Sequence, residues 1–250
     1  MAEDALGLPL WYLPGASYPG DLAVEAALLP RLTTLGCSTV RSYQSLLSGR
    51  GPPAAWNSVE ARLALLDTAA PADRSSLVLI GRSAGAVAAT RFAAVNRIAA
   101  VVCLAYPFRH PMLLDDPGRF AHLRRLATPT LIVQGRNDPY GGIGIVEHYP
   151  LSPSIRLVFG EVGHDLAMPT EAWDDLATQI VGFLRDRHRV APFHGLSFDE
   201  AFYRETHHDV AAALDAGSIG SGAEHYTLHG RAEGRRFRLM ASPPPAKRTS

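Results

Sequence analysis

The pentapeptide Gly81-Arg82-Ser83-Ala84-Gly85 carries a serine in a setting suited to nucleophilic chemistry. The four aliphatic residues 77–80 predict a strand buried on both faces, and the alanine-rich run after Gly85 predicts a helix. The pattern therefore predicts a sharp strand-to-helix turn that raises Ser83 above a sheet, at the positive end of the helix dipole. Side chains at Gly81 or Gly85 would collide with the neighbouring strand and helix.

An aspartate and a histidine later in the chain complete a possible catalytic set. Asp138 and His164 each follow a predicted strand, as Ser83 does, so parallel strands would deliver all three side chains to one edge of a sheet. The order Ser, Asp, His is that of the α/β-hydrolase fold. In these roles Ser83 attacks a carbonyl carbon, His164 takes its proton, and Asp138 holds the imidazole tautomer.

Other interpretations of these residues stay open from the sequence alone. Because Asp-Pro favours turn initiation, Asp138 before Pro139 could be only a turn residue. His164 could be a loop histidine bonded to water, and the chain has 10 histidines in all. Three other carboxylates could replace that of Asp138: those of Asp115, Asp116 and Asp165.

A second small turn, Pro14-Gly15-Ala16-Ser17, follows the first predicted strand. In an α/β-hydrolase the loop at this position supplies one backbone N–H to the oxyanion hole, and the residue after the nucleophile supplies another. We expect these donors to be the N–H groups of Ala16 and Ala84. A strand-ending turn without chemistry is the alternative interpretation of residues 14–17.

Predicted strands and helices alternate along the first 190 residues. The strands are predicted at 8–13, 37–43, 77–80, 99–106, 130–135 and 154–159, and the helices at 21–35, 56–67, after Gly85, 119–126 and 171–187. Pro30 is expected to kink or split the first helix, and Gly36 to end it. The alternation predicts an α/β fold with a mostly parallel, doubly wound sheet and right-handed crossovers.

The segments 81–85, 101–108, 129–135, 138–141 and 163–164 resemble the dienelactone-hydrolase-like α/β-hydrolases over about residues 9–184. They look most like the branch that includes a testis-expressed hydrolase-like protein and a subunit of the NSL histone-acetyltransferase complex. The resemblance implies the triad Ser83, Asp138 and His164, and an α/β-hydrolase sheet that lacks the first strands. The chain departs from the branch at Ala86, where a glycine is usual, and at Pro14-Gly15, where His-Gly is usual.

Composition changes after a predicted linker at 190–192, which divides the chain into residues 1–189, a helical unit at 195–238 and a disordered tail at 239–250. Ser197 and Glu200 form a capping-box pattern that predicts a helix start. The unit resembles a short module appended to bacterial glycosyltransferases, from which no function can be transferred; we expect a docking or protein-interaction role. Metal binding by His207, His208, His225 and His229 is an alternative, but these histidines lack the cysteine partners or the H-E-x-x-H pattern typical of zinc sites.

Charge and cysteine content limit the possible partners. Lys+Arg and Asp+Glu both number 24, so nothing indicates a nucleic acid or a membrane as a partner. Cys37 and Cys103 are predicted to be buried free thiols, and the absence of a basic, apolar leader predicts a cytoplasmic protein. No cofactor or metal motif is present.

We therefore predict a serine esterase or thioesterase acting on a small-molecule substrate. The alternative is a catalytically inactive fold that acts as an interaction scaffold through residues 195–238. A third possibility is a carbohydrate-linked esterase, which rests only on the resemblance of the C-terminal unit.

Overall fold

The computed structural model describes residues 6–20, 22–50, 56–186, 196–230, 233, 235–237 and 239–241. Six parallel strands form its main sheet in the order β2-β1-β3-β4-β5-β6. Their bounds are β1 Leu6–Leu13, β2 Cys37–Arg41, β3 Val78–Arg82, β4 Ala100–Leu104, β5 Thr130–Gly135 and β6 Ile155–Gly160. The predicted parallel α/β architecture is confirmed.

Helices cover both faces of this sheet. The longer ones are α1 Ala23–Thr34, α3 Val59–Ala69, α4 Ala84–Val95 and α7 Thr170–Arg185. The short ones are α2 Tyr43–Leu46, α5 Pro117–Phe120, which continues into a 3-10 turn at Ala121–Arg125, and α6 Ile145–His148. Contacts join α1 to α7 and α3 to α4, so each pair covers one face.

Strand β1 shows why the central strands are almost wholly apolar. Trp11 and Leu13 pack with α3 and α4, whereas Leu10 and Tyr12 pack with α1 and α7. Because successive side chains point to opposite faces, a strand between two helical layers needs apolar residues at every position. Strands β3 and β4 are buried throughout for the same reason.

The sequence predicts that Gly36 ends α1 and that Pro30 kinks or splits it, and the two predictions have different outcomes. Gly36 has a φ of 92°, in the left-handed region that favours glycine, and it follows the end of the helix as expected. Pro30 does not split α1, which continues from Ala23 to Thr34, so of the two expected effects, a kink or a split, the split is wrong. Leu32 and Leu28 on either side of Pro30 are fully buried, and their packing holds the helix together.

The C-terminal unit has its own small core of Phe198, Tyr203, Val210 and Tyr226. Its elements are β7 Leu196–Phe198, α8 Glu200–Thr206, α9 His208–Asp215, α10 Gly222–His225, a π-helical turn at Tyr226–Gly230 and β8 Leu239–Ala241. Strands β7 and β8 pair antiparallel. Phe237 contacts both this core and the core of the main sheet.

The predicted capping box of the C-terminal unit is wrong in detail. Ser197 lies in β7, and Asp199 caps α8 by accepting a hydrogen bond from the N–H of Phe202 at 2.9 Å. The Glu200 carboxylate accepts instead from the N–H groups of Gly222 and Ala223 at the start of α10. The negative charge thus stabilises a neighbouring helix N-terminus, which the local sequence pattern does not encode.

The predicted disordered tail at 239–250 is wrong for its first three residues, which form β8. Its remainder, 242–250, and the predicted linker at 190–192 lie outside the described residues. Cys37 and Cys103 are buried and free, as expected. Across the described residues, no helix is both long enough and apolar enough to cross a bilayer.

Candidate active site

A cleft lined by Ser83 and His164 lies at the carboxyl ends of the strands of the main sheet. At this point the chain reverses its direction of winding across the sheet. From β1 the chain crosses to β2 on one side and then to β3 on the other. The loops that follow β1 and β3 therefore diverge and leave a crevice between them, as in other open α/β sheets. Ser83 directly follows β3, and Ala16 lies in the loop after β1; both line this crevice.

Ser83 has a backbone conformation that is rare for a residue with a side chain. Its φ is 50° and its ψ is −118°, and it lies directly between β3 and α4. A Cβ added to Gly81 would lie 2.5 Å from Cα of Ala86, and one added to Gly85 would lie 2.1 Å from the carbonyl oxygen of Leu13. Both glycines are therefore required by close backbone approach, as the sequence predicts, and the strained serine is raised above the sheet.

The side chains of Ser83, His164 and Asp138 form a continuous hydrogen-bonded chain. Ser83 Oγ lies 3.0 Å from Nε2 of His164, and Nδ1 of His164 lies 2.9 Å from Oδ2 of Asp138. With Nδ1 assigned as the protonated nitrogen, it donates to the carboxylate and leaves Nε2 to accept from the serine hydroxyl. The structure thus brings the three sequence-predicted residues together from the ends of β3, β5 and β6.

Asp138 is 2 % exposed, and three groups donate to its carboxylate. Besides His164, these are the backbone N–H of Tyr140 at 2.8 Å and the side-chain amide of Gln134 at 2.8 Å. Its own carbonyl accepts from the N–H of Gly141 at 3.0 Å. Asp138 is therefore both the turn residue of one interpretation and the partner of the histidine in the other.

The alternative carboxylates have other partners. Asp165 accepts from the N–H of Ala167 at 3.3 Å, and Asp115 accepts from the hydroxyl of Tyr149 at 3.1 Å. Asp116 caps α5 through the N–H of Gly118 at 2.9 Å. Asp138 is therefore the carboxylate that the structure pairs with His164.

Two backbone N–H groups border the crevice beside Ser83. Within the described residues, no backbone carbonyl accepts from the N–H of Ala16 or of Ala84. The close approach of Gly85 to the carbonyl groups of Leu13 and Pro14 brings the loop after β1 against the start of α4. Ala16 and Ala84 thus lie on the two chain segments that meet beside Ser83.

The cleft above Ser83 has a volume of about 730 Å³. Val59, Val87 and Pro107 give it an apolar wall, while Arg82, Arg91 and Arg119 give it cationic groups. The ring of Tyr140 lies 4.3 Å from that of His164, at an interplanar angle of 33°. Tyr140 therefore covers one face of the imidazole and restricts its rotation.

No group of three or more His, Cys, Asp or Glu side chains suited to a metal occurs among the residues that the structure describes. His225 lies 3.1 Å from the hydroxyl of Tyr203, and His207 lies 2.7 Å from the carbonyl of Arg236. Burial lowers the pKa of His225, with Arg235 contributing in the same direction. These histidines belong to the packing of the C-terminal unit.

Sequence reasoning missed three residues around the site: Gln134, Tyr140 and Arg62. Gln134 is a fully buried polar residue near the end of an apolar strand, and this contrast was a usable signal. Tyr140 follows Asp138 by two residues but carries no pattern that indicates ring stacking. Arg62 lies on α3, 0 % exposed, where an amphipathic pattern predicts a solvent-facing arginine.

Comparisons with known proteins agree with this fold. A family model described as alpha/beta hydrolase domain matches residues 43–182, more than half of the chain and including Ser83, Asp138 and His164. No curated protein matches the chain at a significant level.

Three solved structures align with this chain at low sequence identity. An esterase from Pyrococcus furiosus aligns with a TM-score of 0.51 and 16% identity, over 72% of this chain and 83% of that one. Est1E from Butyrivibrio proteoclasticus gives 0.49 and 16%, over 72% and 89%. A protein of the alpha/beta hydrolase superfamily from Xanthomonas campestris pv. campestris gives 0.49 and 22%, over 70% and 98%. The alignment with the Pyrococcus furiosus esterase shows a likeness of fold.

Proposed function

Because this chain belongs to the alpha/beta hydrolases, we propose that it is a serine hydrolase that cleaves a carboxylic ester or thioester. The observation that carries the proposal is the imidazole of His164, bonded on one side to Ser83 Oγ at 3.0 Å and on the other to the buried carboxylate of Asp138 at 2.9 Å. A serine hydroxyl is a weak nucleophile on its own, and an adjacent oriented base activates it.

The acylation step follows from these contacts. Ser83 Oγ forms a bond to the carbonyl carbon while its proton passes to Nε2 of His164, and the carbonyl oxygen becomes an oxyanion. The carboxylate of Asp138 stabilises the imidazolium that forms. When the tetrahedral intermediate collapses, the bond to the leaving oxygen or sulfur breaks, and the imidazolium returns its proton to that atom.

Deacylation repeats the sequence with water. Water attacks the acyl carbon as its proton passes to His164, and Ser83 leaves with that proton as the free acid is released. The N–H groups of Ala16 and Ala84 are suited to receive the oxyanion in both steps, and removing one such donor in comparable enzymes costs about 3 kcal/mol of transition-state stabilisation. Both residues line the cleft together with Ser83.

The strained backbone of Ser83 favours catalysis over the inactive scaffold. A non-glycine residue at φ 50° costs on the order of 1 to 3 kcal/mol, and such strain concentrates at functional sites. A fold used only as a scaffold has no physical need for this strain, for two glycines fixed by close contact, or for a buried carboxylate aimed at a histidine. The carbohydrate-linked esterase has no further support from the described residues.

The sequence also predicts a branch of the family, a cellular compartment and a class of substrate, and these stay proposals. We propose that the chain belongs to the dienelactone-hydrolase-like branch and acts in the cytoplasm on a small molecule, without a cofactor. We also propose that residues 195–238 bind a protein partner, because a unit with its own core, separate from the cleft residues, is suited to a docking role.

A substrate panel with a serine variant tests the proposal. The parent protein is assayed with p-nitrophenyl esters of increasing acyl length and with acyl thioesters, alongside Ser83→Ala. We expect hydrolysis by the parent, with kcat in the variant reduced by a factor on the order of 10⁶ or to background. Equal turnover by both proteins would exclude Ser83 as the nucleophile. If neither protein hydrolyses any member of the panel while both stay folded, the scaffold function replaces the enzyme.

A further inference from the structure

Arg62 is a fully buried arginine whose guanidinium reaches the loop beside the cleft. Its Nη2 donates to the carbonyl oxygen of Gly15 at 2.7 Å, and its Nη1 donates to the carbonyl oxygens of Asn57 and Ser58. Helical side chains point toward the N-terminus of their helix, so Arg62 extends back over the start of α3. From there it joins α3 to the segment that follows β1.

Within the part of the chain that the structure describes, the charge of Arg62 has no carboxylate partner. Among the described residues, no Asp or Glu oxygen lies within 4.0 Å of its guanidinium, which instead lies over the ring of Tyr43 at 5.5 Å from the ring centroid. Burial lowers the pKa of Arg62, and the nearby Tyr43 and Tyr12 oppose that change. A buried cation without an acidic partner is costly, so its placement calls for a compensating role.

The carbonyl of Gly15 and the N–H of Ala16 belong to the same peptide unit. Because that unit is planar and trans, its carbonyl and N–H point in opposite directions. A donor that fixes the carbonyl from one side therefore fixes the direction of the N–H on the other. Ala16 lines the cleft beside Ser83, and a Cβ added to Gly15 would lie 3.6 Å from Cβ of Ser83.

We propose that Arg62 is a positioning residue that holds the Gly15–Ala16 peptide so that the N–H of Ala16 faces the oxyanion formed at Ser83. This inference rests on the proposed hydrolase function and adds a residue to it. The guanidinium also polarises the peptide, because a cation at the carbonyl draws electron density away from the N–H. In a buried site of low dielectric, both effects are stronger than they would be in water.

A purely structural role is the competing explanation, since Arg62 also joins α3 to the loop after β1. A second contact does the same: the side-chain amide of Asn57 donates to the carbonyl of Tyr18. Removing Arg62 therefore leaves this contact in place, and the N–H of Tyr18 still donates to the carbonyl of Gly15 at 3.3 Å. The two explanations differ in whether kcat falls while the protein stays folded and still binds substrate.

The test uses Arg62→Met, which keeps the length but removes the charge and the donors, and Arg62→Lys, which keeps the charge with a different donor geometry. Leu65→Ala is the matched control, because Leu65 is fully buried on the same helix and away from the cleft residues. For each protein, kcat and KM for a p-nitrophenyl ester are measured below the unfolding transition, with the inhibition constant of phenylboronic acid, which forms a tetrahedral adduct with an activated serine.

We expect Arg62→Met to lower kcat about 10- to 100-fold with KM within about 2-fold of the parent, since the donor is misdirected rather than deleted. Phenylboronic acid should bind more weakly by a similar factor. Arg62→Lys should show a smaller loss of kcat than Arg62→Met. Leu65→Ala should lose stability and keep the kcat of the parent.

The inference is overturned if Arg62→Met keeps kcat within about 2-fold, or if Leu65→Ala lowers kcat as much as Arg62→Met does. If Arg62→Met does not fold, the lysine variant decides: a parental kcat and a parental boronate affinity in Arg62→Lys refute the inference. A parent protein without ester or thioester turnover refutes the proposed function itself. Turnover by the parent that is insensitive to residue 62 refutes only the role of Arg62.

Discussion

The side-chain amide of Gln134 donates to Oδ2 of Asp138 at 2.8 Å, and its oxygen accepts from the backbone N–H of Tyr106 at 2.8 Å. Gln134 is fully buried, so both of these contacts are shielded from water. It joins the strand end that carries Asp138 to the loop after β4. The orientation of the carboxylate toward His164 therefore depends on a residue within the sheet.

Replacing Gln134 with leucine should lower both stability and activity. The change leaves the N–H of Tyr106 buried without its acceptor, which costs about 1 to 3 kcal/mol in the free energy of unfolding. The Asp138 carboxylate loses one of its three donors, and we expect kcat to fall about 10-fold. Urea denaturation and ester kinetics measure the two effects. Parental kcat in a folded Gln134→Leu protein would show that Gln134 does not orient the carboxylate.

Asp138→Asn should reduce kcat by about 10³- to 10⁴-fold, because the amide stabilises the wrong imidazole tautomer and cannot stabilise imidazolium. The matched control is Asp165→Asn, which changes an exposed carboxylate next to His164 that accepts from the N–H of Ala167. This control should keep kcat within about 2-fold. A larger loss in the control than in Asp138→Asn would assign the carboxylate role to Asp165.

Gly85→Ala should prevent the elbow, the sharp strand-to-helix turn at residues 81–85, from forming as it is in the parent. Its Cβ would lie 2.1 Å from the carbonyl oxygen of Leu13, a backbone atom that cannot move without displacing β1. We expect loss of activity together with a fall of several degrees in Tm. Gly182→Ala in α7 is the control, because a Cβ there meets nothing within 4 Å.

The control substitution should stabilise the protein by about 0.5 to 1 kcal/mol, since alanine loses less backbone entropy than glycine when a helix forms. Thermal unfolding and ester turnover of the two variants provide the comparison. Equal Tm and equal activity for both would contradict the steric account of the elbow.

Tyr140→Ala should lower kcat/KM about 10-fold, because the ring that covers one face of the His164 imidazole is removed. Tyr140→Phe keeps the ring and the backbone N–H that donates to Asp138, and it should retain most of the activity. Steady-state kinetics of both variants separate the ring from the hydroxyl. If the phenylalanine variant loses as much as the alanine variant, the hydroxyl rather than the stacking is responsible.

His122 should make the protein less stable as pH falls from 6.5 to 4. Burial, reinforced by Arg91, lowers its pKa to about 4, whereas in the unfolded chain it titrates near 6.5. Between these values the unfolded state binds more protons, so the free energy of unfolding rises with pH and is lost on acidification. His122→Gln should give a shallower dependence in urea titrations across this window. Parallel curves for parent and variant would contradict the shifted pKa.

The sequence predicts the sheet well because the central strands consist mostly of consecutive apolar residues, a pattern that a strand between two helical layers requires. The elbow is predictable because a Cβ at position 81 or 85 would collide with backbone atoms, so only glycine fits at either position. Ser83, Asp138 and His164 are found because each follows a predicted strand. Which carboxylate pairs with His164 is known only from the structure. In the sequence, Asp115, Asp116 and Asp165 are chemically as suitable as Asp138.

Features that depend on contacts between distant segments were not predictable. Arg62 lies on a helix whose pattern predicts an exposed charge, and only the approach of Gly15 accounts for its burial. Glu200 matches a local capping pattern but contacts α10 instead of its own helix. The continuity of α1 through Pro30 likewise depends on tertiary packing, which outweighs the local helix-breaking tendency.

Covalent labelling of Ser83 by a fluorophosphonate tests the central claim most directly, because the probe reports an activated serine whatever the natural substrate is. Intact mass and peptide mapping are measured for the parent, for Ser83→Ala and for His164→Ala. We predict a single adduct on Ser83 in the parent, none in Ser83→Ala, and labelling slowed at least 100-fold in His164→Ala. A folded parent that stays unlabelled, or an adduct on another residue, would contradict the account.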